Sequence, residues 1–406
     1  MNKAIVIGGG IAGCSSAYAL AQRGWHVTLI EQAATLATGA SGNPLAVLYA
    51  RLTGSSSHLN ALSLASFTHS LGLLQELNLT VADYQPCGVL QLSFNARELE
   101  RHLAFMSQVK SGGLVIAQYL NQTQASEIAG IKLKTGGLFM PQAGWVNPKA
   151  FCEALTQHNN IHIVHHHQVL TLKKAEATWQ VFIENQALAE AQVLVIANAY
   201  QARQFSQTAH LPLAAVRGQL TMLPKNRVAA LNSLKTIVCA DSYLSPAVDG
   251  FHYVGTTFSM NDDESSVRNS DHIKNLSALA SITNLALNEL EIMETIQHLK
   301  ARVAWRSQTP DYLPLVGQLM DATQLQQKPP RYNASIASLP WLTGLYINAG
   351  HGSKGMITAP YCADLIAQQI TQDLLVGNQD MFKQLNPNRF ILRALGLKQL
   401  AKTALM

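Results

Sequence analysis

Apolar residues along this chain fall into short continuous runs near both ends and into alternating or helical patterns between them. Lys3-Ala-Ile-Val-Ile is an apolar run of strand length, broken by Gly8-Gly9-Gly10-Ile11-Ala12-Gly13 and followed by a helix-forming stretch through Ser15–Arg23. After Gly24, Trp25-His-Val-Thr-Leu-Ile30 predicts a second strand, closed by Glu31. Continuous apolar runs bounded by glycine are what strands of a parallel sheet, buried on both faces, look like. The opening thirty-one residues thus predict a strand, a glycine turn, a helix and a strand.

Thr38-Gly-Ala-Ser-Gly-Asn-Pro44 is small and turn-rich, and Leu45–Tyr49 is apolar again. Helical periodicity covers residues 57–79, and Tyr84–Leu92 reads as a turn entering a strand. Arg97–Lys110 and the region of Ala125–Ile128 look helical, and Gly136–Trp145 reads as one strand. Asn147 is placed to cap a helix whose first position is Pro148. Strands are expected at Ile161–His165, Val169–Leu172 and Trp179–Glu184. The apolar run Gln192–Ala199 then returns to the parallel-sheet character of the opening.

From Val216 the pattern becomes antiparallel. Val216–Leu223 and Thr236–Ala240 are expected strands, and Tyr243–Val248 and Phe251–Phe258 flank Asp249-Gly250, a two-residue hairpin signal. A helix is expected from Asp271 to about Glu294, and a strand over Leu299–Arg306, before a loop into Leu313–Gly317. Leu345–Gly350 then predicts a further buried strand, His351-Gly-Ser-Lys-Gly355 a second glycine turn, and Met356–Ile370 a helix. The expected architecture is α/β (α+β overall): a discontinuous Rossmann-like domain formed by 1–84, 145–215 and 310–375. A substrate domain on an antiparallel sheet, 85–144 and 216–309, is inserted into it, and 376–406 forms a basic tail.

The first glycine turn carries specific chemistry. Gly8 makes the tight turn, Gly10 lets backbone approach a pyrophosphate, and Gly13 permits close helix–strand packing. Free N–H groups and the helix dipole at Ile11 and Ala12 favour phosphate, and Glu31 stands where an acid accepts hydrogen bonds from a ribose. That turn alone serves NAD and FAD equally. The second strand–glycine–helix unit suits a long cofactor enclosed at both ends, which favours FAD.

Composition narrows the class. The 406 residues are 48% hydrophobic and 13% charged, which describes a globular chain with a large core. No apolar run is long enough to span a bilayer and no leader pattern opens the chain, so a cytoplasmic location without membrane attachment is expected. Cys14, Cys87, Cys152, Cys239 and Cys362 form no paired motif, so they read as buried thiols and the cofactor as non-covalent. His165-His166-His167 cannot aim three rings at one ion from a regular strand, and no metal site is expected. Of the net charge of +5, Lys383, Arg389, Arg393, Lys398 and Lys402 supply the tail's share, unopposed by acid from residue 381 onward. Such a tail points to an anionic macromolecule or to a solvated terminal helix. The helical angles exclude one stripe and favour two short helices broken at Gly396.

The Gly8–Glu31 unit, the Gly350–Gly355 turn and the inserted antiparallel region together resemble the D-amino-acid oxidase and glycine oxidase superfamily of FAD enzymes. Within it, Gly39-Ala-Ser-Gly-Asn-Pro44, Val216-Arg-Gly-Gln219, Thr309–Gly317 and Gly350–Gly355 resemble the oxidoreductase half of the MnmC family, bifunctional tRNA 5-methylaminomethyl-2-thiouridine biosynthesis proteins. The resemblance implies FAD contacts at Gly8, Gly10, Ile11, Ala12, Gly13, Glu31, Ala40, Ser41, Gly42, Asn43, Val169, Gly350, Gly352, Ser353, Lys354 and Gly355. It implies a carboxylate clamp from Arg306 and Tyr243, with Lys354 beside the position where glycine oxidases carry an arginine, here Ser353.

The activity it implies is oxidation of 5-carboxymethylaminomethyl-(2-thio)uridine at the tRNA wobble position to the 5-aminomethyl form, with release of glyoxylate. No turn suited to S-adenosylmethionine accompanies the FAD turn, so the following methylation is expected from a separate methyltransferase. A small-molecule glycine or D-amino-acid oxidase shares fold, flavin and clamp, and a non-catalytic flavin-containing tRNA-binding protein is a third possibility. The basic tail separates the first from the second. Flavin reduction by substrate separates both from the third.

Overall fold

The computed structural model describes residues 1–52, 58–109, 116–283, 296, 299–373 and 379–403. Six strands form one sheet in the order Leu315–Met320, Trp341–Ala349, Val193–Ile196, Lys3–Ile7, His26–Ile30 and Ile161–Val164. All its pairings are parallel except that of Leu315–Met320 with Trp341–Ala349. Alternate residues of the buried runs face two different layers. Ala4, Val6, Val27, Leu29, Val193 and Val195 pack in one core with Cys14, Ala17 and Leu20 of the helix Ile11–Ala21 and with Ile357, Leu365 and Ile366 of the helix Gly355–Thr371. Ile5, Ile7, Leu194, Ile196, Leu345 and Ile347 pack in another with Leu172, Trp179 and Val181. Those last residues belong to a three-stranded antiparallel sheet, Thr171–Ala175, Thr178–Ile183 and Gln186–Ala191.

The nine-stranded sheet draws on residues 89–140 and 214–308. Its longest strand, Ala214–Pro224, pairs antiparallel with Lys300–Gln308 on one side and with Phe251–Gly255 and Ser259–Met260 on the other. One junction departs from the expected antiparallel pattern: Val89–Leu92 runs parallel to Ile237–Cys239. These two strands come from separate passes of the chain, so no hairpin dictates their relative direction. Asp249 and Gly250 have φ of 50° and 81°, the left-handed pair that a type I′ hairpin turn needs.

Several expected elements change. Gly136–Trp145 is two strands in different sheets, Gly137–Met140 and Gly144–Val146, separated at Pro141, which has no N–H for a ladder. The strand expected at Val169–Leu172 starts at Thr171, and Gln186–Ala191, whose three alanines and Glu190 carry little strand preference, completes the small sheet. Asn147 caps the helix Pro148–Thr156 as expected, accepting from the backbone N–H groups of Lys149 and Ala150. The helix expected from Asp271 to Glu294 spans Asn269–Ile282. Residues 284–295 lie outside the described residues, as do Lys110 and residue 57 at the ends of two other expected helices.

The C-terminal segment forms Gln379–Leu385, Arg389–Ala394 and Lys398–Thr403, with Gly396 at φ 77° separating the last two as expected. These helices are not a free basic arm. Ile391, Leu392, Leu397, Leu400 and Ala401 bury against Met320, Leu325 and Leu339. Arg389 is fully buried on Asp311, Arg393 pairs with Asp311 at 3.6 Å and Lys383 with Asp380 at 3.2 Å. Lys398 and Lys402 are exposed.

Candidate active site

The Lys3–Ile7 strand ends at Gly8, whose φ of +106° turns the chain sharply into the first helix. A Cβ on Gly8 would lie 2.8 Å from the Ala197 carbonyl oxygen, and one on Gly13 would collide with the carbonyl of Gly8. The helix therefore starts pressed against the parallel sheet. A Cβ on Gly10 would meet only the Ser41 hydroxyl, at 3.2 Å, so that backbone is approachable from the cavity side. Glu31, buried at the end of the second strand, accepts from the N–H of Gly9 at 2.6 Å and of Ala33 at 2.9 Å. Ser41 accepts from the Ile11 N–H at 3.0 Å, which ties the Ala40–Gly42 turn to the helix N-terminus.

A second turn closes the same space from the other side. The Trp341–Ala349 strand runs through Gly350 and His351 into the helix Gly355–Thr371. The two nitrogens of His351 meet Thr358 Oγ1 and Asn348 Oδ1, each at 3.0 Å, and Asn348 donates to Ser16 Oγ on the first helix at 3.0 Å. This chain of bonds fixes the two glycine turns relative to each other. Burial pushes the His351 ring down to about 3, so it is neutral and serves as a structural spacer.

Between the turns lies a cavity of about 570 Å³. Gly8, Gly10, Ile11, Ala12, Glu31, Ala40, Ser41, Asn43, Val169, Gly350, Gly352, Ser353, Lys354 and Gly355 line it, as do Arg306 and Tyr243. Gly13 and Gly42, expected among the cofactor contacts, are not among the lining residues: Gly13 packs on Gly8, and Gly42 lies against the guanidinium of Arg302. Asn198 Oδ1, Ser242 Oγ and Ser307 Oγ belong to lining residues and are buried without a partner among the described residues. Buried polar atoms are ordinarily paired, so these three fit a polar ligand seated in the cavity. Together with the open backbone at Gly10 and two helix N-termini, the cavity fits a dinucleotide.

Arg302 was not legible as a site residue. It donates to Asn43 Oδ1 at 2.9 Å and to the carbonyls of Thr38 and Gly39 at 2.8 and 2.5 Å, clasping the loop that lines the nucleotide end. A signal existed: Arg302 stands four residues before Arg306 on one strand, and positions i and i+4 share a face.

At the other end, Arg306 donates to the Thr257 carbonyl at 3.3 Å and to Thr256 Oγ1, and its guanidinium lies 4.2 Å from the centre of the Phe258 ring. Gly218 on the neighbouring strand makes room for it, since a Cβ there would lie 2.6 Å from the guanidinium nitrogens. Lys354 Nζ sits 3.5 Å from the centre of the Tyr49 ring. Burial lowers both cations, Arg306 to about 10 and Lys354 to about 7. Burial also raises the hydroxyls of Tyr243 and Tyr49 well above their ordinary range and the Cys239 thiol to about 12, so all three are neutral. Among the described residues no carboxylate pairs with Arg306 or Lys354. The half-buried Arg306 guanidinium, facing a cavity without a carboxylate partner among the described residues, forms a receptor for an anionic group, and Lys354, which burial makes easier to deprotonate, stands at the same cavity.

The cysteines are all free thiols. Of the histidine triplet only His167 lines the cavity, and no group of three metal-ligating side chains exists among the described residues. No described helix is long and apolar enough to cross a membrane.

The model of the FAD dependent oxidoreductase family, which also carries the name DAO, matches residues 3–369. The chain belongs to that family. It is an FAD-dependent oxidoreductase, and the cavity between its glycine turns has the lining that a dinucleotide cofactor would need. It is 45% identical to the tRNA 5-methylaminomethyl-2-thiouridine biosynthesis bifunctional protein MnmC of Methylobacillus flagellatus, over 99% of this chain and 61% of that protein. It is 40% identical to the protein of the same name from Chromobacterium violaceum, over 100% of this chain and 62% of that one. The chain thus spans about three fifths of the length of the curated relatives it matches. Among solved structures it resembles glycine oxidase from Geobacillus kaustophilus, with a TM-score of 0.71, 20% identity and coverage of 93% and 96% of the two chains. It also resembles L-proline dehydrogenase from P. horikoshii, with a TM-score of 0.72, 17% identity and coverage of 96% and 97%. At these identities the likeness is one of fold.

Proposed function

We propose that this oxidoreductase acts on 5-carboxymethylaminomethyl-(2-thio)uridine at the wobble position of tRNA, yielding the 5-aminomethyl form and glyoxylate. The observation that carries the reading is the Arg306 guanidinium, without a carboxylate partner among the described residues, at a cavity it shares with Lys354 and the two glycine turns. The names of the relatives supply the RNA context. Bound FAD supplies acceptance of a hydride. The residues of the chain do the rest: Arg306 offers the substrate carboxylate two parallel N–H donors, which fixes direction as well as charge, and Tyr243 adds a neutral hydroxyl donor. Held this way, the CH₂ between nitrogen and carboxylate loses a hydride and the nitrogen a proton. The resulting imine takes up water and splits into glyoxylate and a primary amine, so positioning outweighs any strong base.

In this reading FAD is held without a covalent bond. The 1–84, 145–215 and 310–375 segments form the FAD-binding domain, and 85–144 with 216–309 form the substrate domain. The exposed Lys398 and Lys402 are the part of the 376–406 tail left to meet RNA phosphates. In this reading the reaction takes place in the cytoplasm.

The test is anaerobic mixing of the flavin-loaded protein with hypomodified tRNA. Wild type should bleach the flavin and release glyoxylate. Arg306→Ala should keep its flavin but lose about 10- to 100-fold in reduction rate over dissociation constant, from roughly 1.5–3 kcal/mol of charge-assisted bonding. Arg306→Lys should recover only part of this. Wild-type-like reduction by Arg306→Ala would move the clamp elsewhere, and no bleaching by any tRNA in wild type would sink the RNA reading.

A further inference from the structure

Large aromatic side chains that remain exposed at the mouth of a built site are uncommon enough to demand a reason. Phe258 is such a residue. It lines the cavity yet is 56% exposed, and one part of its ring is covered by the Arg306 guanidinium at 4.2 Å. Met260, two residues on, is 61% exposed and extends the apolar lip.

The segment that follows Phe258 is anchored with unusual thoroughness. Arg217, itself fully buried, donates to the carbonyls of Glu264 and Ser266 at 2.6 and 2.7 Å and pairs with Asp271 at 2.6 Å. Trp305 Nε1 donates to the Asp262 carbonyl at 2.7 Å, and Asp262 pairs with both terminal nitrogens of Arg268. Phe258 is therefore held ready, and a ligand that uses it meets little ordering cost.

We propose that the exposed part of Phe258 is a stacking platform for the pyrimidine that carries the reacting side chain. The inference rests on the substrate reading above and names how the base, not the reacting arm, is recognised. Four single bonds separate the ring carbon of the base from the carboxyl carbon, an extended reach on the order of 5 Å, to which a charge-assisted hydrogen bond adds about 2.8 Å. A carboxylate on Arg306 thus leaves the base within about 8 Å of that guanidinium, a distance that the Phe258 ring, 4.2 Å from it, spans when a base stacks on its far face. Charge selects the arm and the π-face selects the base. Stacking of this kind tolerates either an oxygen or a sulfur at position 2 of the pyrimidine, because it reads the face and not the edge.

The test compares holoenzyme variants Phe258→Ala, Phe258→Leu and Phe258→Tyr on two ligands, the free modified nucleoside and glycolate, a carboxylate without a base. Dissociation constants are read from the perturbed flavin absorbance, and anaerobic reduction is followed with hypomodified tRNA. A platform predicts that Phe258→Ala weakens the nucleoside about tenfold more than it weakens glycolate, that tyrosine restores binding, and that leucine does not. Equal losses for both ligands would mean that the ring only supports Arg306, and the proposal falls. Unchanged nucleoside binding by Phe258→Ala also overturns it while leaving RNA oxidation standing. Wild type that is reduced by no tRNA and does not bind the nucleoside would remove the substrate reading and the platform together.

Discussion

Replacing Arg389 by alanine tests whether the basic tail is an RNA-binding arm or part of the folded body. The side chain is fully buried, with Nε and Nη2 on the two oxygens of Asp311 at 2.9 and 2.8 Å. The same guanidinium donates to the carbonyls of Leu313, Pro314, Leu385 and Asn386 at 2.7 to 3.2 Å. Removing one partner of a buried pair costs about 3–5 kcal/mol. Asp311 is 27% exposed and water can reach it, so the lower end, about 3 kcal/mol, applies. With an unfolding entropy of roughly 2.1 cal/mol/K per residue over 406 residues, this corresponds to a fall in Tm of about 3–4 °C. Burial pushes the Asp311 carboxyl up, and the Arg389 guanidinium more than offsets this and holds it below its usual range. The contribution is therefore complete above an unfolded value of about 4 and is lost as pH falls through the folded one. The assay is a thermal melt followed by flavin fluorescence at pH 7 and again near pH 3, with Lys402→Gln as an exposed control expected within about 1 °C of wild type. If Arg389→Ala melts like wild type while its affinity for tRNA drops, Arg389 leaves its pocket to meet phosphates and the buried-lock reasoning is wrong.

Two further outcomes follow from the site. Arg302→Met should weaken FAD binding about 10- to 100-fold in equilibrium dialysis, because a charged donor to three loop acceptors is lost, whereas full flavin content at low FAD would show that the loop holds itself. Lys354 is lowered by burial to about 7 from an ordinary 10.5, so between those values the unfolded chain binds more protons than the folded one and stability rises with pH. Denaturant melts at pH 6.5 and 9 should show wild type gaining on Lys354→Met across that window, and a gain in the opposite direction would mean that Lys354 is stabilised as a cation.

Local glycine chemistry was the most legible part of the fold. The two strand–glycine–helix units, the Asp249-Gly250 hairpin, the Asn147 cap and the break at Gly396 each follow from a residue whose backbone preference acts over a few positions. What was illegible depends on partners outside the segment itself. Gln186–Ala191 is a strand because Thr178–Ile183 pairs with it, not because of its own alanine-rich sequence. The split of Gly136–Trp145 follows from two different sheets competing for its ends. The tail carried a charge signal and an apolar signal at once, and charge alone misjudged Arg389, whose partner Asp311 lies 78 residues earlier. For the cavity lining, Gly8, Gly10 and Glu31 could be read from spacing, while the spacing of Arg302 from Arg306 shows a shared face but not what Arg302 holds, because its acceptors, Asn43 Oδ1 and the Thr38 and Gly39 carbonyls, lie some 260 residues away.

The Lys300–Gln308 strand is where the two halves of the site become one object. Arg302 and Arg306 share a face about 13 Å apart, one clasping the cofactor loop and the other facing the Thr256–Phe258 turn. Each guanidinium packs against a glycine, Arg302 against Gly42 and Arg306 against Gly218, where any side chain would displace it. Neither glycine lines the cavity, yet both shape it by making room for an arginine that does. The strand is pinned to Ala214–Pro224 from Ala214↔Gln308 to Met222↔Lys300, so neither arginine can shift without moving the other. A slip of one residue would turn both away from the cavity at once. In the proposed reading, cofactor retention and carboxylate orientation would therefore share a single register, which fixes the distance between the Thr38–Asn43 loop held by Arg302 and the guanidinium of Arg306.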